Sequence, residues 1–266
     1  MSMKIIAFGT LKGGTGKTTV AYNIGGILAE NHKVLFIDVD PQSNLSDNAG
    51  IDTTDQTGRT VRDIFDNPND TGALSVITRA PMPQLPNLDI IASHIRLTAT
   101  ELRLVSTPAR EQILKRWIQK NMDVLQEYDY IILDTNPSMG LINQNAFLAA
   151  DSIVLISDVS NKAKVGAELF MYLWGEICDA MQLEDNIKAL VINNADKRIK
   201  LTSQLKEYYS EDEDFGKIIV DQVLPSRVDI KNTEIEYVPI NVLAPNSDAC
   251  VAFRNLIREL EGKGVL

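Results

Sequence analysis

The chain has 266 residues, 44% of them hydrophobic, with 15 glycines and 10 prolines, which suits one large α/β domain over residues 1–266 better than two small ones. Lys plus Arg number 26 against 36 Asp plus Glu, a net charge of −10, so contact with nucleic acid has to come from a local basic patch on an acidic protein. Cys178 and Cys250 stand alone, without a CxxC or Cys/His pattern; with no apolar run near the roughly 20 residues of a spanning helix and no signal-peptide layout, a soluble cytoplasmic protein is expected and a disulfide framework or zinc site is not.

The first element is an apolar run, Ile5 to Phe8, read as a buried strand. Lys12-Gly13-Gly14-Thr15-Gly16-Lys17-Thr18-Thr19 follows, and apolar residues at helical spacing continue to Leu28. Strand, glycine-rich turn and helix make a phosphate cradle. Without side chains at Gly13, Gly14 and Gly16 the backbone N–H groups converge on one anion, and the positive end of the helix dipole adds to them. Lys17 then supplies charge to the terminal phosphates and the Thr18 hydroxyl is placed for Mg²⁺.

Lys33 to Asp38 is a second short apolar run that closes on an acid, followed by Asp38-Val39-Asp40-Pro41-Gln42. Two carboxylates two residues apart at a strand end are costly together unless a cation or a positioned water uses them. Residues 43 to 87 are polar and rich in turn formers, with one short helix expected from Thr60 to Phe65. Leu88 to Ala92 reads as a strand, and helices are expected near Leu97 to Ser106 and from Ala109 to Gln126, divided by Pro108. Tyr130 to Asp134 is a third buried strand ending in an acid.

Met139 to Ala149 reads as a helix, Ser152 to Ile156 as a strand, Ala163 to Met181 as a long helix, and Ile187 to Asn193 as a strand. Lys197-Arg198-Ile199-Lys200 is the densest basic cluster, and the acidic run Glu211 to Asp214 reads as a solvated loop. Ile218 to Val220 is expected to be a strand and Ser247 to Leu260 a helix. Alternating strands and helices of this kind form a doubly wound, mainly parallel twisted sheet flanked by helices, with ligand at the carboxyl ends of the strands.

A standard P-loop has a glycine where this chain has Leu11, and a second lysine, Lys12, stands inside the loop. The loop resembles the deviant Walker A motif of ParA/MinD-type P-loop ATPases, whose extra lysine reaches across a dimer interface to the partner's nucleotide. Asp38-Val39-Asp40-Pro41-Gln42 resembles that family's Asp-x-Asp-Pro-Gln segment. By resemblance, Asp38 helps to hold the Mg²⁺ water shell, Asp40 orients the attacking water, and Asp134 is the Walker B acid that binds Mg²⁺ through water. The family often continues with Cys-Pro-Pro-Ser, where this chain has Thr135-Asn136-Pro137-Ser138. Asn193 is placed for an adenine edge and Pro245, in Ala244-Pro245-Asn246, for closing over the base.

Leu224 to Lys231 resembles the late segment with which relatives bind DNA nonspecifically, although Ser226 and Asp229 stand where they carry arginines. The candidate patch is Lys197, Arg198, Lys200, Arg227 and Lys231. The resemblance is closest to ParA proteins of the Soj type, without the long N-terminal extension that carries a helix-turn-helix in some plasmid relatives. It implies an ATPase that uses ATP and Mg²⁺, forms a homodimer on ATP binding, binds nonspecific DNA on the nucleoid and is reset by hydrolysis stimulated by a ParB-like centromere-binding protein, for plasmid or chromosome segregation. The alternatives are a MinD-like or other cargo-positioning ATPase, a metabolic P-loop ligase or kinase, and a non-hydrolysing scaffold. The first needs a basic amphipathic C-terminal helix; Phe253, Leu256, Ile257 and Leu260 make an apolar stripe, but core packing accounts for it and no membrane contact is expected.

Overall fold

Apolar side chains on successive residues of one strand point to opposite faces, so a run such as Ile5-Ile6-Ala7-Phe8 is stable only where both faces are covered. Six such strands and a two-residue edge strand form one sheet in the computed structural model, which describes residues 3–54, 58–196 and 200–266. They are β1 (Lys4–Gly9), β2 (Val34–Asp38), β3 (Ile77–Thr78), β4 (Leu88–Ile91), β5 (Tyr130–Asp134), β6 (Ser152–Asp158) and β7 (Ile187–Asn193), in the spatial order β3-β4-β2-β5-β1-β6-β7. All neighbours are parallel except β3, which pairs antiparallel with β4 at the edge.

The sheet divides the apolar interior in two. Ile5, Ala7, Leu35, Ile37, Ile131 and Leu133 face a core closed by Leu114 and Trp117 of the helix Ile113–Lys120, Ile142 and Phe147 of the helix Leu141–Ala149, and Phe170 and Trp174 of the helix Asn161–Met181. Ile6, Phe8, Val34, Phe36 and Ile132 face the other, closed by Val20 and Ile24 of the helix Lys17–Leu28 and Phe253 and Leu256 of the helix Asp248–Gly262. Each large side chain so buried is worth about 1.5–3 kcal/mol. The stripe in the last helix is therefore core. Among the described residues no helix is long and apolar enough to cross a membrane.

The expected strand at Ile218 to Val220 is not formed. Ile218 ends a short helix, Phe215–Ile218, and the chain then follows β7 through isolated bridges, Ile219 to Leu190 and Pro225 to Ala195, without forming a strand. The expected helix from Ala109 to Gln126 is broken too. Ala109 has a left-handed backbone (φ 50°), and Asn121 takes its own side chain to the Trp117 carbonyl at 2.9 Å, so the segment forms a 3₁₀ turn at Arg110–Gln112 and helices Ile113–Lys120 and Met122–Leu125.

Candidate functional site

β1 lies between β5 and β6, and β5 lies between β1 and β2, so the carboxyl ends of β1, β2 and β5 are adjacent. Asp38 and Asp134 face each other in register across β2 and β5, and Phe8 of β1 pairs with Asp134. The loop that leaves β1 is thereby set over two carboxylates.

The loop's shape follows from its residues. Gly14 (φ 78°) and Gly16 (φ 79°) take the left-handed backbone that a side chain disfavours, and Gly16 is the residue before the helix Lys17–Leu28. A Cβ at Gly16 would also stand 2.4 Å from the Asn193 side chain. Thr10 Oγ1 accepts from the Lys12 N–H at 3.2 Å, and Leu11, in place of the usual glycine, packs half-buried against the core. That apolar anchor is what the departure from the standard loop provides.

The loop roofs a cavity of about 310 Å³ lined by Lys12, Gly13 to Thr18, Asp40, Gln42 and Pro137, among others. Lys17, only 5% exposed, bonds Asp134 Oδ1 at 2.5 Å, and Thr18 Oγ1 donates to Asp134 Oδ2 at 2.7 Å. An ammonium, a hydroxyl and a carboxylate are thus gathered at one point beneath the loop. The hydroxyl and carboxylate oxygens of that group are hard donors, the chemistry of a Mg²⁺ ion that keeps most of its water.

Asp40 lines the same cavity, with Oδ1 fixed by the Gln42 N–H at 2.8 Å. Burial raises its carboxyl above the ordinary value, while the Gln42 N–H and Lys17 pull it back. Asp38 stands behind. It is fully buried, does not line the cavity, and accepts from the Ser46 N–H (3.0 Å), the Ser46 hydroxyl (2.7 Å) and the Asp40 N–H (3.0 Å). Burial first, then the neighbouring Asp134, pushes its carboxyl up to about 8, against those three hydrogen bonds.

Lys12 is directed elsewhere. Its ammonium pairs with Asp158 at the end of β6 and donates to Ser160 Oγ at 3.1 Å, and Ser160 in turn bonds Asp158 Oδ1 at 2.8 Å. Neither Asp158 nor Ser160 is singled out in the sequence reading, because the strand is expected there to stop at Ile156, two residues short of the acid that closes β6. Thr19 donates its hydroxyl to Glu234. Asn193, 3% exposed, donates to the Thr15 carbonyl at 2.8 Å, so its amide supports the loop from beneath, while the exposed Asn194 (φ 54°) lies beside Gly16. Pro245 is exposed and does not line the loop cavity.

Of the basic candidates, Lys200 begins the helix Lys200–Glu211, and Arg227 and Lys231, both exposed, lie one turn apart at the start of the helix Val228–Ile235. Arg227 also lines a separate cavity of about 480 Å³ with Asp196, Gln222, Pro225 and Asp248. Lys197 and Arg198 lie outside the described residues.

Residues 3–189 match the family model described as an AAA domain. The chain is 31% identical to the sporulation initiation inhibitor protein Soj of Bacillus subtilis over 266 residues, 98% of this chain and 99% of that protein. Among solved structures, it superposes with a TM-score of 0.78 and 23% identity on a plasmid partition protein of Borrelia burgdorferi bound to AMPPNP, covering 99% of this chain and 100% of that one. Cobyrinic acid a,c-diamide synthase of Mycobacterium smegmatis, with an ATP analogue and magnesium bound, gives a TM-score of 0.80 at 22% identity over 97% of this chain and 94% of that one.

Proposed function

This chain belongs to the ParA/MinD-type P-loop ATPases, and from that premise we propose that residues 1–266 act as one MgATP-driven dimerisation switch that hydrolyses ATP and serves the partition of DNA. One observation carries the reading: the two loop lysines do different work. Lys17 serves the cradle of its own chain, while the ammonium of Lys12 is engaged at the rim by Asp158 and Ser160. A metabolic P-loop enzyme such as the diamide synthase shares the fold, but a second lysine placed at the rim serves a second nucleotide better than the first.

In the proposed cycle the polyphosphate of ATP seats on the N–H groups of residues 13 to 18, and Lys17 exchanges Asp134 for phosphate oxygens. Thr18 and Asp134 are the residues that would hold Mg²⁺, which when bound neutralises charge on the phosphates. Asp40, already oriented by the Gln42 N–H, holds the water in line, and a carboxyl raised by burial is the better base near neutral pH. Asp38 acts one step back, fixing Asp40 through its backbone N–H. Lys12 leaves Asp158 and Ser160 to complete the partner's site, so that charge building on the transferred phosphoryl group meets two lysines. Asn193 and Pro245 are proposed to border the base.

Arg227, Lys231 and Lys200, with Lys197 and Arg198, are proposed to bind nonspecific DNA, which places the ATP dimer on the nucleoid in the cytoplasm, and a ParB-like centromere-binding protein is the proposed stimulator of hydrolysis. The test is sedimentation with Mg²⁺ and a slowly hydrolysed ATP analogue, followed by titration with random-sequence duplex. The native chain should form a dimer that binds DNA. Lys12→Ala should bind nucleotide yet stay monomeric and bind DNA at least about tenfold more weakly; a Lys12→Ala chain that dimerises as well as the native one overturns the switch.

A further inference from the structure

The helix Lys17–Leu28 leaves the loop with a line of polar or small residues down one side: Thr19, Asn23, Gly26 and, just past its end, Glu30. Spacings of four, three and four residues put them on one helical face. All four touch the segment that begins at Val228. The Thr19 hydroxyl donates to Glu234 on the helix Val228–Ile235. Asn23, fully buried, donates to the Thr19 carbonyl at 2.8 Å and accepts from the Ile240 N–H at 2.6 Å. Gly26 lets Pro239 lie against the helix, since a Cβ there would come within 2.5 Å of the proline ring, and its carbonyl accepts from Asn241 at 3.0 Å. Glu30 accepts from Asn241 at 3.0 Å and pairs with both Nη atoms of Arg254, at 2.8 and 2.7 Å.

The contact at Thr19 differs in kind from the others. Those at Asn23 and Gly26 are made by buried amides and a close-packed ring, whereas Glu234 is exposed, charged, and bonded to Thr19, which stands in the first turn of the helix that leaves the loop, one residue past the Thr18 that lines the cavity. We propose that Glu234 senses whether the loop is occupied: polyphosphate in the cradle takes the Thr19 hydroxyl and repels the Glu234 carboxylate, which frees the helix Val228–Ile235 from the loop while Asn23, Gly26 and Glu30 hold residues 239–254 as its hinge. The inference rests on the phosphate reading of the loop.

The chemistry has two parts that act in the same direction. A phosphate oxygen is a stronger rival for the hydroxyl proton than water, and several negative charges arriving beside one more disfavour it. The released helix carries exposed Val228 (70%) and Ile235 (67%) as well as Arg227 and Lys231, so its freedom changes what the surface presents. Coupling of this kind is reciprocal, and a ligand that favours the released helix must tighten nucleotide binding by the same factor.

Hydrogen exchange on the full chain, with and without Mg²⁺ and a non-hydrolysable ATP analogue, tests it. In the native chain residues 13–19 should become protected while amides of residues 229–237 exchange about tenfold faster. Glu234→Ala, a change at an exposed position that removes the acceptor and the charge together, should give that faster exchange without nucleotide, show no further response on adding it, and bind the analogue roughly threefold or more tightly. Protection of residues 13–19 with no change, or added protection, at residues 229–237 overturns the proposal, and so does a Glu234→Ala chain that responds as the native one does. Failure of residues 13–19 to be protected overturns the phosphate reading, and this inference with it.

Discussion

The cradle beneath the loop and the surface around Arg227 contain the same kinds of charged group and treat them in opposite ways. In the cradle Lys17, Asp134, Asp38 and Asp40 are almost wholly buried, and each is fixed by a named partner: Lys17 and Thr18 on Asp134, Ser46 on Asp38, the Gln42 N–H on Asp40. Arg227 and Lys231 stand in water, and Arg227 reaches its neighbour's carbonyl only at 3.4 Å. A buried charge is tolerated only with its partners in place, so removing one disturbs all, whereas exposed ion contacts are worth about 0–1 kcal/mol each. The site's chemistry is therefore concentrated in a few residues, and any nucleic-acid affinity is spread over many.

Substitutions sharpen that contrast, starting with the largest effect. Lys17→Ala leaves the buried Asp134 carboxylate without its cation; loss of one partner of a buried pair costs about 3–5 kcal/mol. Calorimetric unfolding should show that loss, and ATP titration a fall in affinity of roughly a thousandfold; near-native affinity would remove the lysine from the cradle. Asp40→Ala should lower phosphate release by about a hundredfold or more while ATP affinity changes little, leaving an ATP-bound dimer that persists in sedimentation.

The third test uses pH. The Asp38 carboxyl, ordinarily near 3.8, is lifted to about 8 in the folded chain, so between those values the folded state binds the extra proton. Stability without nucleotide is then full below the lower value and declines as pH rises toward the upper one, by at most about 1.4 kcal/mol per pH unit. Asp38→Asn should flatten that slope in denaturant titrations from pH 5 to pH 8, and an unaltered slope would place the proton elsewhere. Smallest is Arg227→Ala. DNA affinity should weaken by about threefold for every sequence alike, with the salt slope reduced by about one; a loss for one sequence only would mean that Arg227 reads bases.

The parallel strands, the glycine loop and the acids that close β2 and β5 were legible in the sequence because each rests on a local rule: a buried strand is an unbroken apolar run, and a phosphate turn needs glycine where φ is positive. What escaped were contacts between distant segments. Asp38 and Asp40, two residues apart, both read as site residues, one for the Mg²⁺ water shell and one for the attacking water, yet strand β2 ends between them and only Asp40 reaches the cavity. The partner of Lys12, Asp158, closes β6 two residues past its apolar run, and the partner of Thr19, Glu234, carries no pattern of its own. The edge strand β3 has two residues and sits inside a polar excursion, too short for any periodicity. Asn23 was the missed signal that could have been found: a polar side chain at a core-facing position within an apolar helix has to meet a partner from elsewhere in the chain.

The bond from Asn193 to the Thr15 carbonyl joins residues 178 apart in the chain. A glycine-rich turn on its own has many shapes open to it, and this tie selects one only after the last strand has docked beside β6. The loop after β1 thus acquires its working form only once β7 is in place, and binding of a nucleotide becomes a report that this side of the sheet has been assembled.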